Sequence, residues 1–428
     1  MDNDLKIGLS RCRLFDFQNC VSFVGEYCKE FNEKEMQKAM RMLSVRYPVI
    51  TAQIEVNEEA EAFLQLEKYT PEAMFFEGDV TAFVRANKAE GIDYRGQLFK
   101  FFVVNKNTLV IFSHTIVSDA KSLLILAKEL LAYYNKETVL VEPKSIKLFS
   151  TEAELPLEAE SFVADRVTEV LNNSWLEKPS EFCFDDYKKA QTAFVEKKLK
   201  TGSKLFYLDD ELCIALKTRC EELKIDFSSA VAFALLKALT ASKKASKKEA
   251  KLEFQVDRRP YFTERDVYSV GAFNGTVLVE APKDNVSLAE QVVALHKSYY
   301  KKFSECFNAF YNELFLSKLE PSFLDSTFIY KAGQYDGKPT KKLASLYGCE
   351  QKILLGFSSY NLTQHKWEKL STFHHVLVNE PHKSNKSVSA TLVMGEKNTL
   401  YLEWETSRFS SSQIEEIYTN FVSVLQQL

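Results

Sequence analysis

Three residues that can do chemistry lie close together in the segment LVIFSHTIVSDA: His114, Thr115 and Asp119. An imidazole suits general-base catalysis because its pKa lies near neutral pH. A threonine hydroxyl is uncharged and is a far weaker base. The alternative for His114 is a packed side chain that is hydrogen-bonded under its loop. The residue types therefore indicate either proton transfer or a packed core, depending on which side chain faces a cavity.

A hairpin and a helix are predicted to position these residues. The apolar stretches QLFKFFVV and TLVIFSH are separated by the turn residues NKN, which is a hairpin signal. The residues after Asp119 repeat apolar side chains on one helical face as far as Tyr134. Asp119 is thus a candidate N-cap for a helix that begins near Lys121. Since neighbouring side chains of an extended chain point to opposite faces, we expect His114 and Thr115 to point apart.

Helix and strand patterns alternate along the rest of the N-terminal half. Asn32 and Glu35 have the spacing of a capping box ahead of an amphipathic helix, which Pro48 ends. The following residues, VITAQIEV, are rich in β-branched side chains and predict a strand.

Helix and strand patterns also alternate in the C-terminal half. Helices are predicted over LDDELCIALKTRCEELKID and FSSAVAFALLKALTA, a strand over LEFQVD, and a hairpin over SVSATLVM and TLYLEWET. Ser412 and Glu415 have the spacing of a cap for the last helix. Alternating elements in both halves predict an α/β or α+β protein with two lobes.

The sequence lacks the motifs of several common enzyme classes. GxGxxG, GxxxxGK[ST], HExxH and GxSxG are all absent, which excludes the usual Rossmann, P-loop, zincin and α/β-hydrolase sites. The eight cysteines form no CxxC pair and have no histidine at ligand spacing. We therefore expect reduced thiols and no metal.

Composition excludes further classes of protein. A length of 428 residues favours about two or three domains. The 55 basic and 59 acidic residues give a net charge of −4, without the basic domain that nucleic-acid binding would need. The best apolar run, residues 227 to 236, stops at Lys237 and is too short for a membrane span. The acidic start MDNDLK does not fit a targeting segment, so we expect a cytoplasmic protein.

The segment from Leu109 to Asn135 resembles the signature of the condensation-domain and alcohol acetyltransferase superfamily, which is related to chloramphenicol acetyltransferase. The family pattern is HHxxxDG on a loop between a strand and a helix. MQKAMRMLSVRYPVITAQIE is similar to the first helix and strand of that family, VDRRPYF to its Asp-x-Arg-Pro segment, and TLYLEWETSRFSSSQIEEIYTNFVSVL to its closing strand and helix. The resemblance covers nearly the whole chain in the right order.

The resemblance implies two lobes of chloramphenicol-acetyltransferase type, each a mixed sheet flanked by helices, joined as a V-shaped pseudo-dimer. The N-terminal lobe would span residues 1–175 and carry HTIVSDA, and the C-terminal lobe would span residues 176–428 and carry VDRRP. It also implies a tunnel between the lobes for an acyl thioester and an alcohol or amine acceptor. The stretch SVGAFNGTVLVE, with Gly271, Asn274 and Gly275, resembles the part of the family that lines this tunnel.

The catalytic position of the family departs from its pattern here. In the family the second histidine is the base, whereas the aligned residue in this chain is Thr115. His114 matches the first histidine and would serve only if the loop were shifted by one residue. Asp119 matches the family aspartate, which implies a structural ion pair with Arg259 or with Arg258.

Other polar residues have weaker claims to a site. HHVLVN, with His374 and His375, copies the motif superficially, but it lies in an apolar stretch near the place of a late strand of the second lobe. His382 stands in a polar context. The basic run SKKASKKEAK, residues 242 to 251, predicts a solvated loop; the alternative is a surface for the phosphates of coenzyme A or for an acidic carrier protein.

Three functions remain open from the sequence. The first is acyl transfer from coenzyme A or a phosphopantetheine thioester to an alcohol or amine, with His114 or a water replacing the missing base. The second is a catalytically inactive relative that uses the tunnel to bind a ligand or a protein, and Thr115 favours this reading. A third is a structural or regulatory partner of an active relative. An acyl or peptidyl carrier protein is a possible partner in the first two, with no bound cofactor in either.

Overall fold

Alternating buried residues build the strands, and apolar stripes build the helices that cover them. The computed structural model describes residues 4–137, 142–144, 146, 148, 154–155, 162–198, 200–242, 250–262, 269–346 and 352–428. Within these ranges no helix is long and apolar enough to cross a membrane.

Fourteen strands and twelve α-helices are present in the described ranges. The strands are β1 (Asp4–Ile7), β2 (Cys20–Tyr27), β3 (Gln53–Val56), β4 (Ala62–Gln65), β5 (Ala73–Phe76), β6 (Phe99–Val104), β7 (Thr108–His114), β8 (Thr201–Tyr207), β9 (Lys251–Asp257), β10 (Asn274–Glu280), β11 (Ile353–Asn361), β12 (Phe373–Asn379), β13 (Lys386–Met394) and β14 (Thr399–Glu405). The helices are α1 (Glu33–Arg46), α2 (Val80–Glu90), α3 (Ala120–Tyr134), α4 (Phe162–Leu176), α5 (Phe184–Lys198), α6 (Asp210–Leu223), α7 (Phe227–Ala241), α8 (Leu288–Ser304), α9 (Cys306–Ser317), α10 (Pro321–Lys331), α11 (Lys338–Leu346) and α12 (Ser411–Gln427).

The N-terminal sheet has the order β12-β2-β7-β6-β5. Only β5 and β6 are parallel in it; the other pairs are antiparallel. The predicted hairpin of β6 and β7 is confirmed, and Asn105 and Lys106 adopt positive φ in its turn. All seven residues of β7 are buried, which fixes the start of the loop that follows. The helix α3 covers the sheet with Leu123, Leu126 and Leu130, as its apolar stripe predicts.

The C-terminal sheet has the order β10-β9-β11-β13-β14-β8. The strand β11 is parallel to both β9 and β13, whereas the outer pairs are antiparallel. The helices α7 and α12 pack on it, and both match their predicted positions. The predicted hairpin of β13 and β14 is also confirmed. Two mixed sheets flanked by helices confirm the predicted α/β class, and a small third sheet, β1-β4-β3, lies beside them.

One strand from the C-terminal half completes the N-terminal sheet. Residues of β12 pair with β2, and the chain then enters β13 in the other sheet within a few residues. We call the connecting residues 380–385 the crossover segment. The placement of His374 and His375 in the second lobe was therefore wrong, because the apolar side chains of β12 pack on the first sheet. The domain boundary between residues 175 and 176 stays a prediction.

Two other local predictions were wrong. The first half of VITAQIEV is a 3₁₀ turn, Pro48–Thr51, and the strand begins only at Gln53. The last helix is capped by Ser410 rather than Ser412: the Ser410 hydroxyl accepts from the Gln413 N–H at 3.2 Å, and the Gln413 side chain accepts from the Ser410 N–H at 3.0 Å. The same three-residue spacing exists at both positions, and only the start of the helix decides between them.

Candidate functional site

The loop between β7 and α3 is held by backbone hydrogen bonds at its start. The His114 N–H donates to the Leu98 carbonyl at 3.0 Å, and the Thr115 N–H donates to the Asn19 carbonyl at 2.8 Å. Both residues are buried at the end of β7, the central strand of its sheet. The structure thus fixes which of the two side chains meets a cavity.

His114 is fully buried and lines none of three cavities found among the described residues. Its Nδ1 accepts from the Ile116 N–H at 3.1 Å, and its Nε2 has no hydrogen-bond partner in the described ranges. Burial lowers the pKa of His114 to about 3. An imidazole in this position is a weak base and lines none of these cavities, which disfavours His114 as the base.

Thr115 faces the opposite way and lines a cavity of about 260 Å³. Its side chain is almost fully buried, and its hydroxyl has no hydrogen-bond partner among the residues the structure describes. The opposite orientation of His114 and Thr115 follows the alternation expected at the end of a strand. The side chain at the family's catalytic position is thus a hydroxyl that can hydrogen-bond a ligand but cannot hold its proton near neutral pH.

Asp119 makes both of the contacts considered from the sequence. As the N-cap of α3 it accepts from the Ser122 N–H at 2.7 Å. It also forms a two-pronged ion pair with Arg259, whose Nη1 and Nη2 lie 2.9 and 3.0 Å from its two oxygens. The Phe273 N–H donates to the same carboxylate at 3.1 Å. Both partners of the pair are buried, so this contact ties the loop and α3 to the C-terminal half.

Arg258, the other partner considered for Asp119, points elsewhere. Its guanidinium donates to the carbonyl groups of Ala272 and Phe273 and lies over the ring of Phe310. Because β9 ends at Asp257, the two arginines that follow leave the strand in different directions.

The predicted tunnel residues divide into two groups. Asn274 and Gly275 line the 260 Å³ cavity, and Asn274 also accepts from Arg13 Nη1 at 2.7 Å. A Cβ on Gly275 would come within 2.5 Å of the Ala309 carbonyl, so only glycine allows α9 to approach β10 this closely. Gly271 lines none of the three cavities; its N–H donates to the Ser122 hydroxyl at 3.0 Å. Its hydrogen bond to α3 places it outside these three linings, and contact of Gly271 with substrate stays a prediction.

Two cavities beside the loop share part of their lining. The first, about 220 Å³, is lined by residues that include Asp119, Asp257, Tyr360 and Trp367, and the second is the 260 Å³ cavity at Thr115. Three residues line both: Gln255, Asn274 and Glu380. We call these three shared residues the junction. The side-chain carbonyl of Gln255 is buried there without a hydrogen-bond partner in the described part of the chain.

Glu380 is a junction residue that the sequence analysis missed. It follows β12 directly, and its two carboxylate oxygens accept from the Ala120 N–H at 2.8 Å and from Asn274 Nδ2 at 3.1 Å. Burial, with a further contribution from the negative charge of Asp119, raises the pKa of Glu380 to about 7. An acidic residue directly after an apolar strand was the available signal, but nothing in the sequence showed that this strand crosses to the other lobe.

A third cavity, about 360 Å³, lies on the other side of the crossover segment. It is lined by residues of α2, β8, β12 and β14, including Tyr207 and His375. Pro381 lines both this cavity and the one at Thr115. His382 is buried rather than in a polar surface context, and its Nδ1 lies 2.9 Å from the Ser389 hydroxyl. None of the residues expected at the site lines this cavity, and most of the basic run at 242–251 lies outside the described residues.

Comparison with known proteins finds similar solved structures but no similar sequences. No protein-family model matches the sequence, and no curated protein matches it. The condensation domain from Monacolin K polyketide synthase MokA superposes with a TM-score of 0.64 at 11% identity, covering 99% of this chain and 96% of that one. The epimerization domain from the third module of tyrocidine synthetase B superposes with a TM-score of 0.60 at 13% identity, covering 99% of this chain and 97% of that one.

A third solved structure is similar over its whole length as well. Polyketide synthase associated protein 5 from Mycobacterium tuberculosis gives a TM-score of 0.60 at 11% identity, covering 98% of this chain and 97% of that one. The three similarities span both sheets and the crossover between them. The chain therefore has the two-lobed fold of the condensation domains.

Proposed function

We propose that the protein binds an acyl thioester and an alcohol or amine acceptor in the two cavities that share the junction, and that it transfers the acyl group between them. The donor would be coenzyme A or the phosphopantetheine arm of a carrier protein. The observation that carries this proposal is the junction itself: two cavities share three lining residues, within the fold of the condensation domains.

Two buried polar atoms support a ligand at this point. The Thr115 hydroxyl and the Gln255 side-chain carbonyl belong to residues that line the cavities, and both are buried without hydrogen-bond partners in the described ranges. Buried polar atoms without partners are rare in folded proteins and need an explanation. A ligand with a donor group, such as an amide, amine or hydroxyl, supplies one.

The buried contacts of Asp119 support a fixed reaction geometry. The ion pair with Arg259 and the bonds to Ser122 and Phe273 hold the loop between the two sheets. Holding donor and acceptor in a fixed orientation contributes a large part of the rate of a bimolecular reaction. We assign Asp119 and Arg259 this structural role, and we assign Thr115 and Asn274 contact with substrate.

A second function is favoured by a specific observation. The position of the family base is a threonine, and the only neighbouring histidine is buried away from the cavities. A protein that binds the thioester without turning it over is consistent with both facts. Binding and turnover must therefore be measured separately.

The Gln255→Trp variant tests whether the junction is the binding site. We expect the wild type to bind an acyl-coenzyme A or an acyl-pantetheine, and an indole at position 255 to weaken binding by at least tenfold because it adds bulk to the lining that both cavities share. Isothermal titration calorimetry with acetyl and longer acyl donors measures this.

The control is Ile214→Trp, which adds the same ring on the exposed face of α6. It should bind like the wild type, and circular dichroism should show that both variants are folded. Equal affinity in the wild type and Gln255→Trp would contradict binding at the junction. Absence of binding by the wild type across all donors would contradict the proposed function itself.

A further inference from the structure

The two cavities at the junction are lined by five carboxylates in the described part of the chain, and only one of them has no salt bridge there. Four are paired with cations: Asp16 with Lys383, Asp119 with Arg259, Glu253 with Lys386, and Asp257 with Lys121 and Arg259. Glu380 accepts hydrogen bonds only from an amide N–H and an asparagine side chain. The neighbouring cations outweigh burial and lower the pKa values of Asp16 and Asp257, so these two are poor proton acceptors at neutral pH.

Glu380 also has the position that a proton acceptor requires. It lines both cavities, whereas Thr115 lines only one and Asp119 only the other. Its carboxylate is held by Ala120 at the N-terminus of α3, so it has a fixed orientation. A general base must lie within hydrogen-bond reach of the proton it removes, and a group at the junction satisfies this for an acceptor in either cavity.

Charged and titratable groups on several neighbouring segments affect the pKa of Glu380. Burial raises the pKa of Glu380 most, and Asp119, in the loop before α3, raises it further. Arg13 and Lys383 lower this pKa, but their effects are smaller than that of burial. Tyr360 on β11 also faces it, and its own pKa is raised well above the usual range, so it stays protonated. The pKa of Glu380 therefore lies near neutral pH, as a general base requires.

We propose that Glu380 is the general base of acyl transfer in this protein, replacing the histidine that the chain lacks. This inference rests on the proposed function. The acceptor oxygen or nitrogen attacks the thioester carbonyl carbon and transfers its proton to a Glu380 carboxylate oxygen. The carbon–sulfur bond then breaks, and the leaving sulfur takes that proton to give a free thiol. The products are an ester or amide and the thiol, and Glu380 returns to its carboxylate form.

Glu380→Gln tests this role because it keeps the shape of the side chain and removes its basicity. With a donor and acceptor pair that the wild type turns over, we expect thiol release to fall by a factor of about 10²–10⁴. The wild-type rate should rise with pH through about 7, since only the ionised carboxylate accepts a proton. Donor affinity should stay within threefold of the wild type. Glu416→Gln, on the exposed face of α12, is the matched control and should leave the rate unchanged.

Thermal unfolding gives a readout that needs no activity. A native-state pKa above the usual value stabilises the folded protein at low pH, and this contribution disappears as pH rises through about 7. The wild-type melting temperature should therefore fall relative to that of Glu380→Gln between pH 5 and pH 8.

The outcomes separate this proposal from the proposed function. Turnover by Glu380→Gln within threefold of the wild type would overturn the role of Glu380 and leave acyl transfer standing. A wild type that binds donors but never releases thiol would overturn the general base and leave binding. A wild type that neither binds nor turns over any donor would overturn both.

Discussion

Arg259→Met is expected to lower the free energy of unfolding by about 3–5 kcal/mol, as is typical when one partner of a buried ion pair is removed. The guanidinium is fully buried, and it also donates to the Ser269 carbonyl and the Ser122 hydroxyl. Its loss would leave the Asp119 carboxylate buried and without its cation, next to the loop that holds Thr115. Chemical denaturation monitored by circular dichroism measures the change.

Two controls establish the cause of this loss. Lys204 pairs with Glu415 on the surface with nearly half of each side chain exposed, so Lys204→Met should cost less than about 1 kcal/mol. The double variant Asp119→Asn with Arg259→Met should be more stable than Arg259→Met alone because it removes the buried charge and keeps an oxygen for the cap of α3. A cost below about 1 kcal/mol for Arg259→Met would show that the pair does not hold the two halves together.

Acid should destabilise the protein through two buried histidines. Burial lowers the pKa values of His114 and His382 to about 3, whereas an imidazole in the unfolded chain has a pKa near 6.5. Each therefore contributes stability that is complete above pH 6.5 and is lost as pH falls toward 3. At pH 4.5 the loss amounts to about 3 kcal/mol for each histidine. Urea unfolding at pH 7.5 and 4.5 measures it when the wild type is compared with variants that lack each histidine.

The histidine variants assign this pH dependence. His114→Gln and His382→Gln should each reduce the difference in stability between the two pH values, because glutamine does not titrate. His374→Gln changes an exposed imidazole of β12 and should leave the difference as it is in the wild type. An equal pH dependence in the wild type and both buried variants would mean that neither imidazole is held neutral in the folded protein.

Strong local patterns made most of the fold predictable from sequence. The hairpin of β6 and β7 and the helix α3 have uninterrupted apolar patterns and clear turn signals, so their positions follow from local chemistry. The cap of α12 was misplaced by two residues because two nearby pairs share the same spacing. The turn at Pro48–Thr51 was predicted as a strand because β-branched residues are common in strands. Pro48 has its φ angle fixed by its ring, and it begins the turn.

The site was predictable only in part, because its parts come from distant segments of the chain. The opposite orientations of His114 and Thr115 followed from strand geometry. Asp119 could be assigned a role in both a cap and an ion pair, since a carboxylate can accept several hydrogen bonds at once. Glu380 could not be placed, because its position depends on β12 joining the other sheet, and the edge that a strand joins is decided by tertiary packing.

The most direct test of a binding site at the junction is a crystal structure of the protein with a non-hydrolysable acyl-pantetheine analogue. We expect the carbonyl group of the analogue to lie between Gln255 and Glu380, with the Thr115 hydroxyl within hydrogen-bond distance of the ligand. An analogue bound instead in the 360 Å³ cavity beside α2 and β12 would contradict this assignment and move the functional site to the other side of the crossover segment.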